Sequence, residues 1–122
     1  MKPVTRQFLF IQHHAPFLGA QGFAGMDMLM TAAVFDQAVS LLFLGEGVLH
    51  LLKAQDGQLI GSKTLAKNLP ALELYDVHSV LAETAALERY AIDDGDLLLP
   101  ITRVSPEEVK SLITSAELVF TC

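Results

Sequence analysis

Histidine and carboxylate side chains follow the apolar segments of the chain and could take part in acid–base or metal chemistry. His13 and His14 come directly after "QFLFIQ" at 7–12, and Glu46 and Glu83 follow later apolar runs. Such groups together can bind a metal ion or transfer a proton. Adjacent side chains on extended backbone diverge, however, and no third ligand has supporting spacing. We therefore expect no metal site, and we expect both histidines to face solvent or a subunit contact.

The segment "GEG" at 45–47 could form a phosphate-binding turn or a purely structural one. It lacks the GxGxxG fingerprint and the Gly-Lys-Ser/Thr of a phosphate loop. A carboxylate at Glu46 would also compete with a phosphate at a helix N-terminus. Gly45 and Gly47 therefore predict a sharp turn from a strand into a helix, and no cofactor is expected.

His50 and His78 are predicted to be hydrogen-bonded packing residues.

The chain has a single cysteine, Cys122. One thiol cannot form an internal disulfide, which is typical of a reducing compartment and favours a cytoplasmic location. A reactive cysteine needs an electropositive environment, and none is supplied by neighbours in sequence. We expect an unreactive thiol, and a relay role is the alternative.

Length and composition predict one domain over residues 1–122, with part of its apolar surface buried by another subunit. Hydrophobic residues make up 52% of the chain and charged residues 18%, with a net charge of −6. This balance argues against direct nucleic-acid binding, and no window reaches the roughly 18 apolar residues of a membrane span.

Met26, Met28 and Met30 cover more than one face of a predicted helix, which favours a subunit interface.

Apolar strands alternate with helices along the chain. Strands are predicted at 7–12, 39–44, 77–82, 96–102 and 117–121, and helices at 23–38, 46–54, 83–92 and from 106 onward, with an irregular or partly helical segment at 61–75. Strands that are apolar on both faces and alternate with helices are typical of a parallel sheet covered on both sides. The predicted class is therefore α/β, with a three-layer α/β/α architecture and a mainly parallel five-stranded sheet.

The most specific local signal is "VSPEEVKSLI" at 104–113. Ser105 is a suitable N-cap, Pro106 fits the first helical position, and Glu108 stands where a capping box needs its carboxylate. Val104 and Val109 can form the flanking hydrophobic staple. A helix is therefore predicted to begin immediately after Ser105.

Two long segments resemble the DsrE/DsrF-like family, and within it the DsrF-type subunits. They are "QGFAGMDMLMTAAVFDQAVSLLFLGEGVLHLL" and "LPALELYDVHSVLAETAALERYAI", with Gly25 and Asp27 in the glycine-led helix and an "LYDV" segment before the third strand. The similarity extends from about Phe8 to Phe120 and depends on the order and spacing of these features. It implies a flavodoxin-like α/β/α fold.

The resemblance also implies a role in a sulfur relay. Family members of this type assemble with two related subunits into a heterohexamer that passes persulfide sulfur to further relay proteins, for 2-thiouridine formation at the tRNA wobble position or for sulfur oxidation. The family's sulfur-carrying cysteine lies at the end of the third strand, where Glu83 stands in this chain. A carboxylate cannot carry a persulfide, so a non-catalytic subunit is implied.

Two classes of function therefore remain open from the sequence. The chain is either an interaction subunit of a sulfur-relay complex or a separate α/β domain that binds a small molecule near His13, His14 and Glu46. Glu83 at the cysteine position and the absence of a phosphate loop favour the first. Without its partners, the chain could form a homo-oligomer through the same apolar faces.

Overall fold

The computed structural model describes residues 7–13, 38–52, 79–97 and 99–121. They form five strands: β1 (Gln7–Gln12), β2 (Ala38–Phe43), β3 (Ser79–Glu83), β4 (Thr102–Val104) and β5 (Leu118–Thr121). Two α-helices are described, α1 (Thr84–Arg89) and α2 (Pro106–Ser115), together with 3₁₀ helices at Gly45–Leu51 and Asp94–Asp96. Within these ranges, no helix has the length and apolar character needed to cross a bilayer.

All five strands are parallel and lie in one sheet in the order β4-β3-β2-β1-β5. The register places the last or next-to-last residues of neighbouring strands side by side, with Gln12 beside Phe43, Phe43 beside Ala82 and Glu83 beside Val104. The carboxyl ends of β1 to β4 therefore meet at one edge of the sheet, which is where ligands bind in open α/β sheets.

Alternating side chains divide the core into two clusters, one on each face of the sheet. The first contains Phe10, Leu41 and Phe43 and packs against the Gly45–Leu51 helix and α1. The second contains Leu9, Leu42 and other strand residues and packs against α2. Helices therefore cover both faces of a parallel sheet, and the predicted α/β/α class is confirmed.

The start of α2 follows the predicted capping chemistry. Ser105 Oγ accepts a hydrogen bond from the Glu108 N–H at 3.2 Å, and Glu108 Oε1 accepts one from the Ser105 N–H at 3.1 Å. Pro106 occupies the first turn. Val104 and Val109 belong to the same apolar cluster, as the staple requires. The capping box therefore fixes where the helix begins.

The predicted strand over residues 96–102 is wrong. Residues Asp94–Asp96 form a 3₁₀ helix, and β4 begins only at Thr102. Leu97 makes an isolated antiparallel bridge to Leu52, and Leu97 and Leu99 pack as half-buried side chains against the first core cluster. Their apolar character therefore reflects packing at the margin of the core.

The predicted helices differ in type or end from those observed. The segment predicted as a helix over 46–54 is a 3₁₀ helix over Gly45–Leu51, and the helix predicted over 83–92 is α1, which ends at Arg89. The end of α1 is a Schellman-type turn in which Ala91 has a φ of 53° and the Ile92 N–H donates to the Leu87 carbonyl. The predictions at 23–38 and 61–75 lie outside the described residues.

Gly47 allows two backbone segments to approach closely and provides a test of the packing. A Cβ at this position would lie 2.7 Å from the Gln12 carbonyl carbon and overlap its oxygen. Because backbone must then move, Gly47→Ala should lower the free energy of unfolding by about 3 kcal/mol. Urea unfolding with an unchanged m-value measures this difference.

Gly95→Ala is the matched control, because an added Cβ there meets nothing within 4 Å. Its free energy of unfolding should stay within about 0.5 kcal/mol of the wild-type value. Equal stability of the two alanine variants would contradict the close approach of Gly47 to Gln12.

Candidate functional site

The candidate site is the crevice at the carboxyl edge of the sheet. The segments that follow β1, β2 and β3 meet here: the Leu44 N–H donates to the Gln12 carbonyl at 3.0 Å, and the Gly45 N–H donates to the Glu83 carboxylate. The sequence-predicted residues His13, Gly45, Glu46 and Glu83 therefore all follow or end strands at one edge. His14 lies outside the described residues.

Glu83 occupies the junction between β3 and α1. It is the last residue of β3 and the N-cap residue of α1, and its side chain makes no capping hydrogen bond to that helix. Instead, its Oε1 accepts a hydrogen bond from the Gly45 N–H at 3.2 Å, in a half-buried position. A charged acceptor strengthens such a bond. The carboxylate therefore joins the end of β3 to the turn after β2.

The two glycines of the "GEG" segment have structural roles, as predicted. Gly45 has a φ of 51°, in the left-handed region that glycine adopts at low cost. Gly47 lies against the Gln12 backbone, and its N–H donates to the Leu44 carbonyl at 2.8 Å. The turn between β2 and the 3₁₀ helix therefore depends on both positions.

A buried polar pair joins the end of β1 to the Gly45–Leu51 helix. Gln12 Nε2 donates to His50 Nε2 at 3.0 Å, and the two residues are 2% and 0% exposed. The His50 ring also lies 6.2 Å from the Phe43 ring, centre to centre. The prediction that His50 is a hydrogen-bonded packing residue is confirmed. Sequence reasoning missed Gln12, whose only signal is an amide at the end of an apolar strand.

Thr84 joins the start of α1 to the neighbouring strand. Its Oγ1 donates to the Val104 carbonyl at 3.0 Å. Val104 ends β4 and Thr84 follows β3, so this bond fixes the ends of β3 and β4 relative to each other. Sequence reasoning did not assign a role to Thr84.

The remaining candidates are exposed polar groups. His13 and Glu46 both face solvent at the crevice. A search of the described residues finds no group of three or more His, Cys, Asp or Glu side chains that could hold a metal ion. Met26, Met28 and Met30, which are predicted to form a subunit interface, lie outside the described residues, as do His78 and Cys122.

The chemistry of the described crevice is that of oxygen and nitrogen groups. The carboxylates of Glu46 and Glu83 can accept hydrogen bonds or protons, and the His13 imidazole can exchange a proton. Covalent transfer of sulfur needs a thiolate, and the described residues contain no cysteine. This part of the chain therefore can shape a crevice and cannot itself carry a persulfide.

Comparison with protein families and curated proteins gives a consistent result. The model of the DsrE/DsrF-like family matches residues 6–122. A "Protein TusC homolog" of Vibrio parahaemolyticus is 30% identical, over 90% of this chain and 93% of that protein. "Protein TusC" of Buchnera aphidicola is 27% identical over 98% of both chains. The "Intracellular sulfur oxidation protein DsrF" of Allochromatium vinosum is 29% identical over 80% of this chain and 72% of that protein.

A solved structure has the same fold. The ychN protein from E. coli superposes with a TM-score of 0.78, over 97% of this chain and 100% of that protein, at 16% sequence identity. At this identity the likeness concerns the fold alone.

Replacing Glu83 tests the hydrogen bond that joins β3 to the turn after β2. Glu83→Ala removes the acceptor of the Gly45 N–H and should lower the free energy of unfolding by about 1 kcal/mol. Glu83→Gln keeps an acceptor oxygen and should lose less. Glu88→Ala is the control, since Glu88 is exposed on the same helix. Chemical denaturation measures all three, and an equal effect of Glu83→Ala and Glu88→Ala would contradict the role of the bond.

Proposed function

Because the chain belongs to the DsrE/DsrF-like family, we propose that it is a non-catalytic subunit of a cytoplasmic sulfur-relay complex. In this proposal it is a single domain that acts as the TusC-type member of a heterohexamer with TusB-like and TusD-like chains. The complex passes persulfide sulfur to further relay proteins for 2-thiouridine formation at the tRNA wobble position. Neither a cofactor nor direct nucleic-acid or membrane binding is part of this role.

The observation that carries the proposal is the position of Glu83. It ends β3 and is the N-cap residue of α1. This is the junction at which the family resemblance leads us to expect a sulfur-carrying cysteine. A thiol there gains from the helix N-terminus, which lowers its pKa and favours the thiolate. A carboxylate at the same junction has no sulfur atom on which a persulfide could form. Its hydrogen bond to the Gly45 N–H gives Glu83 a structural role instead.

Two further observations support an interaction role. Relatives named TusC match this chain along nearly its whole length at 27–30% identity. The composition, with 52% hydrophobic and 18% charged residues, also favours a chain that buries surface against other subunits.

A DsrF-like role in sulfur oxidation is the second candidate. It is favoured by the match to the DsrF protein of Allochromatium vinosum, at 29% identity over 80% of this chain. Deleting the gene in its native host separates the two roles. Loss of wobble thiolation supports the first, and loss of sulfur oxidation with intact thiolation supports the second.

Sulfur transfer by the reconstituted complex tests the non-catalytic role. The chain would be assembled with the TusB-like and TusD-like chains of the same genome, and transfer of radiolabelled sulfur would be measured for Glu83→Gln and Cys122→Ser. Both variants should retain the wild-type rate to within about twofold, because neither side chain carries sulfur. Replacing the cysteine at the end of the third strand of the TusD-like chain should abolish transfer.

Size-exclusion chromatography with light scattering confirms that each variant complex is assembled. A large loss of transfer with Glu83→Gln or Cys122→Ser, in a complex of normal mass, would contradict the proposal and assign chemistry to this chain.

A further inference from the structure

We draw no further inference here: the strongest candidate, the apolar groove between α2 and β4 that is lined by Leu81, Val104 and Leu112, carries none because nothing in the described residues shows what covers it.

Discussion

The parallel direction of all five strands is the constraint on which the rest of the structure depends. It brings the carboxyl ends of β1 to β4 to one edge, so that the segments after β1, β2 and β3 can bond to one another. The Gly45 N–H then reaches the Glu83 carboxylate, and the Leu44 N–H reaches the Gln12 carbonyl. The order β4-β3-β2-β1-β5 also makes the chain cross from one edge strand to the other, and α2 lies on that connection.

These two consequences of the parallel topology agree with the role that we propose for the chain. At the edge of the sheet that could hold a thiolate, β3 ends in the carboxylate of Glu83. This carboxylate accepts a hydrogen bond from the Gly45 N–H in the turn after β2. The face that α2 covers has exposed apolar side chains, Ile113 on the helix and Val119 on β5. In our proposal the chain therefore contributes surface and shape to an assembly, and a partner subunit contributes the sulfur chemistry.

Much of the fold could be predicted from local sequence. The apolar runs at 7–12, 39–44 and 117–121 match strands to within one residue, and Ser105 with Glu108 fixes the start of α2, because those signals act over a few residues. The strand predicted over 96–102 fails because Leu97 and Leu99 are apolar for packing and not for pairing. The end of α1 was missed because Ala91 adopts a conformation usually marked by glycine.

The candidate site was predicted only as a set of strand ends, since the Gln12–His50 and Glu83–Gly45 bonds each join residues 38 positions apart.

The most direct test of the central claim is to locate the sulfur. The complete complex would be loaded by a sulfur donor, quenched by alkylation, and each chain measured by intact-mass spectrometry. The account predicts that a TusD-like partner gains the mass of one sulfur atom in addition to the alkyl group, and that this chain gains at most the alkyl group on Cys122. A persulfide on Cys122 of this chain during turnover would contradict it.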